Sequence, residues 1–328
     1  MTCPDLDYVM VVTSEQDVTA DMVIESLNAR RAPVVRVDPA DIGPGLSFHA
    51  RLGAAGSCWS GRLRTSSRDI ALERVRAFYY RRPSPWRFEN LKPQARAFAI
   101  AEARYGLSGL LHSLPDCHYV NHPAAVVVGE HKPAQLQVAV QVGFTVPETL
   151  ITNDLDAATS FATEHSPMIY KAFRGLPLGT DDQARAIWTQ RVDPVELDES
   201  IAVTAHLFQA EVPKHSDARV TVVGTRVFAS QIISPENALD WRSGDHDSLT
   251  YVPIAVPEHV MRALRAYLDA FGLVFGCFDF ALEETGQAAE PYRWIFIECN
   301  PNGQWGWLPD SDAIADSFAE TLLQGWFV

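Results

Sequence analysis

Two apolar runs near the end of the 328-residue chain carry acidic and amide side chains where packing alone gives no reason for them. The first, Phe275-Gly276-Cys277-Phe278-Asp279-Phe280, holds one aspartate. The second, from Trp294 to Trp305, holds Glu298 and Asn300. Residues two apart on a strand face the same side, so Glu298 and Asn300 share a face. The polar, turn-like segment from Glu283 to Pro291 predicts an antiparallel hairpin, which sets Asp279 beside them. Three hard oxygen donors on one sheet face suit Mg²⁺, which takes a few protein oxygens and completes its shell from substrate phosphates. A plain buried hairpin explains the Asn300-Pro301-Asn302-Gly303 turn. It does not explain the acids, because an unpaired charge on an apolar strand is costly.

The cations tell a related story. Of 27 basic residues only four are lysine: Lys92, Lys132, Lys171 and Lys214. A lysine kept in an arginine background points to a need for a compact ammonium rather than a planar fork, with chance retention as the alternative at any single position. No Ser-His-Asp or Cys-His arrangement offers a covalent nucleophile.

The elements that must position these groups follow in order. Tyr8–Val12 reads as a buried strand, 17–30 as a helix with Val18, Met22, Ile24 and Leu27 inward, and 33–38 as the next strand, a βαβ beginning. Thr13-Ser14-Glu15-Gln16-Asp17 follows the first strand where a dinucleotide site would need Gly-x-Gly-x-x-Gly. Residues 46–63 read as a hairpin or meander. Residues 77–83 form a strand ending in Arg81 and Arg82, a pair suited to carboxylate or phosphate and more often a solvated strand end. The alanine-rich 93–114 segment is helical, with Phe98, Ile100, Tyr105 and Leu107 as packing residues. His118 and His122 lack a third ligand and read as loop residues. Lys132 opens a helix to Val142. Asn153-Asp154 caps another through His165. Residues 167–175 are a strand delivering Lys171 into the loop Arg174-Gly175-Leu176-Pro177-Leu178-Gly179-Thr180, too poor in glycine for a strong anion nest. Strands are predicted at 186–192, 217–224 and 226–232, with an irregular insert carrying Trp241-Arg242 at 234–251. A patterned helix at 257–271 precedes the hairpin, and a last helix begins at Ser311. The tail Trp326-Phe327-Val328 is expected to pack.

Composition narrows the classes. The length allows two or three domains. The formal net charge of −14 makes sequence-independent nucleic-acid binding a poor fit. No apolar run is long enough to cross a bilayer, and the N-terminus lacks a signal-peptide pattern. Five scattered cysteines without Cys-x-x-Cys read as reduced thiols of a cytoplasmic protein.

The order of these features resembles the ATP-grasp ligases: a lysine at a helix start, Gly143-Phe144-Thr145-Val146-Pro147, a second lysine before a glycine loop, the hinge-like Leu207-Phe208-Gln209-Ala210-Glu211-Val212-Pro213-Lys214, Arg219 on the outgoing strand, then Asp and Glu-x-Asn. The resemblance implies an α/β fold of α+β lobes. A pre-ATP-grasp domain would span 1–125, a central ATP-grasp subdomain 126–206, and a C-terminal subdomain with the metal site 207–328. It implies ATP and Mg²⁺ as cofactors, with the metal at Asp279, Glu298 and Asn300. Lys132, Lys171 and Lys214 would meet the phosphates, Gln209 to Val212 would border adenine, and Glu211 or a neighbour would contact ribose. Arg219 would reach the terminal phosphate, and Arg219, Lys171 and Arg174 are the expected catalytic residues.

The runs Lys132 to Ala139, Phe144 to Asn153 and Glu298 to Trp305, with Tyr80-Arg81-Arg82-Pro83, look most like the ATP-grasp ribosomal peptide maturases, the microviridin-type or graspetide macrocyclases. That resemblance implies an ADP-forming ligase that activates Asp or Glu side chains of a precursor peptide, leader plus core. It would join them to Thr or Ser hydroxyls, or Lys amines, as ω-ester or ω-amide macrocycles. An ester former is the narrower expectation, and a homodimer the expected assembly. The alternative is a ligase of the ribosomal-protein-modification or glutathione-synthetase type, adding a free amino acid to a peptide or small carboxylate. A degenerate binding module is a third reading, opposed by the intact Asp279, Glu298 and Asn300.

Overall fold

The structure is a computed structural model and describes residues 7–53, 58–174, 187–235 and 238–324. Strand β1 (Tyr8–Val12), helix α1 (Val18–Ala29) and strand β2 (Val34–Val37) form the βαβ unit, with β1 and β2 parallel. Asp17 caps α1 by accepting from the Ala20 N–H. The buried stripe of α1 is Thr19, Ala20, Val23, Ser26 and Leu27, and Val18 is 71% exposed. Of the expected inward positions Leu27 is buried, Met22 and Ile24 are half-buried against the same core, and Val18 alone is corrected. A second helix packs on α1 and selects its small residues, a contact that helical periodicity does not encode.

Strands β3 (Leu46–Arg51), β4 (Ser60–Thr65) and β5 (Asp69–Ala71) make an antiparallel meander. Strand β6 (Val75–Tyr80) returns beside β1. Helix α2 (Pro93–Ala103) runs through a widened π turn at 104–108 into α3 (Gly109–Leu111), and β7 (His118–Val120) completes a parallel sheet of order β2-β1-β6-β7. The π turn shifts the helical phase, so that Leu107, Leu110 and Leu111 enter the core. Phe98 and Tyr105, expected to pack, are 67% and 80% exposed.

Helices α4 (Pro123–Gly129) and α5 (Lys132–Gln141) pack toward the C-terminal part of the chain. Strand β8 (Thr149–Thr152), helix α6 (Leu155–Glu164) and strands β9 (Met168–Lys171), β10 (Gln190–Val192) and β11 (His206–Ala210) build a small antiparallel sheet of order β10-β9-β11-β8. The glycine loop from 175 to 180, the start of the strand expected at 186–192 and the tail 326–328 lie outside the described residues.

Strands β12 (Ser216–Val223), β13 (Arg226–Ile233) and β14 (Thr250–Pro253), helix α7 (Glu258–Phe271) and strands β15 (Phe275–Glu284) and β16 (Tyr292–Asn300) give a five-stranded antiparallel sheet, β14-β13-β12-β15-β16. Helix α8 (Ser311–Leu322) closes the fold. Helix α7 buries Val260, Leu264, Tyr267 and Leu268 as its pattern predicts, and ends at Gly272 with φ 63°, where a residue without Cβ is favoured. Strands β12 and β15 alternate between two cores. Ala218, Val220, Val222, Phe278 and Phe280 face α7, while Val223, Phe275 and Cys277 pack with Trp305, α8 and the N-terminal sheet. Farther along β12 and β15, positions of this second parity are Asp217, Arg219 and Asp279, and each of them borders the cleft or pairs there.

Candidate active site

The hairpin forms in the predicted sense. Asp279 lies directly opposite Glu298, and Cys277 opposite Asn300. One detail of the ladder decides the site. Phe280 pairs with Phe296, so the register skips Ile297. This bulge lets Phe296 enter the aromatic core while Glu298, two residues on, turns to the cleft. In a regular strand both would share one face.

Three cations gather at Glu298. Lys132, the first residue of α5, donates its Nζ to Oε2. Arg242 donates Nη1 to Oε1 at 2.8 Å. Lys171, at the end of β9 and 7% exposed, is the third. Burial alone would raise the Glu298 carboxyl, but Lys132, Arg242 and Lys171 together hold it well below the usual carboxylate range. Burial pushes Lys171 down to about 8, with Glu298 pulling the other way. Arg242 sits in a single helical turn, Trp241–Ser243, and Asp240 caps that turn. The Asp240 carboxylate also accepts from Arg242 Nε at 2.9 Å and Nη2 at 3.1 Å, which aims the guanidinium at Glu298. A second ion pair stands beside this group. Arg219 Nη1 donates to both oxygens of Asp279 at 2.7 and 2.8 Å. Its guanidinium lies 5.9 and 5.8 Å from the rings of Trp241 and Trp307.

Two cavities meet here. One, of about 580 Å³, lies between the small sheet and the five-stranded sheet and is lined by Ile169, Gln209, Ala210, Val212, Lys214, Asp217 and Asp279, among others. The other, of about 1420 Å³, is lined by Arg82, Lys132, Arg174, Trp188, Glu298 and Asn300, among others. Lys171, Thr189, Asp240 and Arg242 border both, so the two form one continuous cleft.

The residues expected from sequence divide accordingly. Gln209, Val212 and Lys214 line the smaller cavity, while Lys132, Lys171 and Arg174 line the larger. Lys214 donates to Asp217 Oδ2 at 2.6 Å and to the Leu239 carbonyl at 3.0 Å. Burial raises the Asp217 carboxyl to about 6 against the pull of Lys214. The Glu211 carboxylate is held by Arg191, at 2.6 and 2.7 Å; its neighbours Ala210 and Val212 line the cavity. Sequence reasoning missed Asp240 and Asp217 as site residues and left Arg242 in an insert thought to cover a substrate. The adjacent Asp240-Trp241-Arg242 was the available signal, since aspartate two residues before arginine is an Asx-capped turn.

Among the described residues no group of three or more His, Cys, Asp and Glu side chains is gathered for a metal. Asp279, Glu298 and Asn300 nonetheless fit Mg²⁺: two carboxylates and one amide, all hard oxygen donors, bordering a cleft with room for phosphate oxygens.

Arg81 does not reach the cleft. It is fully buried and grips the turn after β16, donating Nη1 to the Asn302 carbonyl at 2.6 Å and Nη2 to Gln304 Oε1. Arg82 lines the larger cavity. Asn121, after β7, binds the same region through four hydrogen bonds. It donates to the Phe275 and Pro301 carbonyls and accepts from the Val274 and Phe275 N–H groups. His122 caps α4 through Nδ1.

Comparison with known proteins agrees with this geometry. Residues 8–127 match the MvdD pre-ATP grasp domain. No curated protein matches the sequence. Among solved structures, macrocyclase MdnC from Microcystis aeruginosa, bound with precursor peptide MdnA, is 26% identical. It aligns over 96% of this chain and 99% of its own with a TM-score of 0.82. A RiPP-associated ATP-grasp ligase from Chryseobacterium gregarium, in complex with ADP and a leader and core peptide, is 23% identical. It covers 97% of this chain and 96% of its own at a TM-score of 0.85. The ATP-grasp ligase PsnB, complexed with minimal precursor, Mg and ADP, is 21% identical and covers 97% of this chain and 99% of its own at 0.71. The chain thus carries a pre-ATP-grasp domain at residues 8–127, and over nearly its whole length it is similar to ATP-grasp ligases of ribosomal peptides, with the cation-ringed Asp and Glu-x-Asn hairpin in its cleft.

Proposed function

We propose that the chain is an ADP-forming ligase that phosphorylates Asp or Glu side chains of a ribosomal precursor peptide and closes macrocycles with Thr or Ser hydroxyls, or Lys amines. The observation that carries this reading is the charge of the larger cavity. Five basic side chains, Arg82, Lys132, Lys171, Arg174 and Arg242, line it against three acidic ones. In a chain of net charge −14, such a cleft is built for anions, both a triphosphate and a carboxylate substrate. MdnC is bound with a precursor peptide and the Chryseobacterium ligase with a leader and core peptide, which supports a peptide partner here.

The chemistry follows from the groups present. A substrate carboxylate oxygen attacks the γ-phosphorus, the bond to the β-phosphate oxygen breaks, and ADP leaves. The acyl phosphate then receives the acceptor oxygen or nitrogen at its carbonyl carbon and expels phosphate; one water is lost from the peptide overall. Lys132, Lys171 and Arg242 neutralise charge on the transferring phosphoryl group, and Asp240 holds Arg242 in aim. Arg219, paired with Asp279, would meet the terminal phosphate, with Arg174 at the rim. The Gln209–Val212 strand end would border the adenine, and Lys214, on the same smaller cavity, would meet the phosphates. Asp279, Glu298 and Asn300 would hold Mg²⁺, which supplies neutralisation of phosphate oxygens. Lys132 and Arg242, which neutralise Glu298 here, are free to turn to those oxygens when the carboxylate is otherwise engaged. We place the enzyme in the cytoplasm, in keeping with the thiols of Cys117, Cys277 and Cys299, which form no disulfide.

The test is mass spectrometry of an acidic peptide encoded beside the gene, incubated with enzyme, ATP and Mg²⁺. Loss of one water per crosslink is expected, and hydroxylamine cleavage separates ester from amide. The folded Glu298→Gln variant should lose most ADP formation and all crosslinking. Gain of an amino-acid mass, when free amino acids are supplied, would overturn macrocyclisation in favour of amino-acid ligation. Undiminished crosslinking by the variant would remove Glu298 from the metal site.

A further inference from the structure

The loop after β16 carries a hydrogen-bonded path from the N-terminal sheet to Arg219. Gly303 lets this loop lie close on β15, because a Cβ there would come 2.5 Å from Cys277 Cβ. Trp305 is fully buried against Phe318 and pins the far end. Between them stands Gln304, whose side chain and backbone serve different partners. Its Oε1 accepts from Thr19 Oγ1 of α1 at 2.8 Å and from Nη2 of Arg81, just past β6. Arg81 has donors only, so the amide oxygen is fixed toward it. The Gln304 backbone carbonyl accepts from Arg219 Nη2 at 3.0 Å. Among the described residues the other hydrogen-bond partner of that guanidinium is Asp279, bound through Nη1, and Asp279 is also a candidate metal ligand. A carboxylate that serves a second cation attracts an arginine less. The Gln304 carbonyl is then the partner that keeps Arg219 in place.

We infer that Gln304 is a positioning residue for phosphoryl transfer: clamped by Thr19 and Arg81, it fixes the Nη2 edge of Arg219 through its backbone carbonyl. The aim of that arginine is therefore set by the N-terminal sheet and α1 as well as by the cleft. The inference rests on the proposed reading of Arg219 at the terminal phosphate. Glutamate in place of Gln304 keeps an oxygen for both donors. Leucine keeps none and leaves Arg81 Nη2 buried without that acceptor.

The experiment is steady-state ADP formation with MgATP and the acidic peptide encoded beside the gene. It compares wild type, Gln304→Leu, Gln304→Glu, Arg219→Gln and the Gln304→Leu/Arg219→Gln double variant, with MgADP affinity measured by calorimetry for each. The kcat of Gln304→Leu should fall roughly ten- to a hundredfold, the cost of a misplaced catalytic group, while MgADP affinity is kept. Gln304→Glu should recover most of that loss. In the Arg219→Gln background Gln304→Leu should cost less than about twofold more, because two changes that act through one group do not add. A loss that adds in full, or a wild-type kcat in Gln304→Leu, overturns the positioning role and leaves the reading of Arg219 standing. If Gln304→Leu fails to bind MgADP, Thr19→Val, which removes one of the two clamps, takes its place in the same cycle with an expected loss of about three- to tenfold. Undiminished ADP formation by Arg219→Gln overturns the reading of Arg219, and absence of ADP formation by wild type overturns the ligase reading; the assignment falls with either.

Discussion

Lys171 is the residue whose burial has the clearest measurable consequence. Burial lowers it to about 8, Lys132 and Arg242 push in the same direction, and Glu298 and Asp240 oppose them. The sign is definite. A phosphate ligand favours the charged ammonium, and free enzyme loses that charge as pH rises through the lowered value. ATP affinity should therefore fall with rising pH, and Kd should increase roughly eightfold between about pH 7.5 and about pH 9. Lys171→Arg, always charged, should flatten this profile. Calorimetry in buffers matched for ionic strength reads it, and a wild-type Kd constant over that range would place Lys171 away from the phosphates. The sequence marked Lys132, Lys171, Asp279, Glu298 and Asn300 because charge is rare on apolar elements. It did not mark Arg242, whose role comes from a cap by Asp240 and a neighbour 56 residues away.

The hairpin of β15 and β16 is legible as two strands and a turn, but its bulge is not. Alternation alone puts Phe296 and Glu298 on one face, and the skipped pairing at Ile297 separates them. Aromatic packing around Phe144, Tyr267 and Phe278 draws Phe296 inward, while the cations draw Glu298 to the cleft. The turn after β16 is held from outside by the N-terminal sheet. Asn121 is 1% exposed and satisfies four backbone groups across that junction. Asn121→Ala leaves those groups buried and unpaired, so it should destabilise the protein by about 3 kcal/mol or more. Urea unfolding checks this, and an unchanged midpoint would mean that water or a backbone shift replaces the side chain. Asn121 reads in the sequence as a loop residue before His122-Pro123, because its partners lie more than 150 residues away.

At the scale of the whole molecule, an acidic chain surrounds a basic cleft assembled from the N-terminal sheet, the small sheet and the five-stranded sheet. Among the described residues no helix is long and apolar enough to cross a membrane. We propose that the enzyme works as a homodimer, a reading that rests on the family resemblance; exposed Phe98 and Tyr105 offer apolar surface for contact. Light scattering should then return twice the chain mass of 36.3 kDa, and a monomer at working concentration would remove the dimer. The three-domain division at 125 and 206 is also proposed. Its second boundary falls at the start of β11, a strand that pairs with β8 and β9. Limited proteolysis would test it, with protected fragments that end away from these boundaries as the contrary result. The sequence by itself determined the order of strands and helices, the hairpin that carries Asp279, Glu298 and Asn300, and the lysines that line the cleft, because local periodicity and misplaced charge are written residue by residue. Only the tertiary structure decided the bulge at Ile297, the burial of Arg81 as a brace, the small-residue stripe of α1 and the arrival of Arg242 at Glu298. Each of these depends on a partner far along the chain, and no local pattern records which distant residue will fill the space.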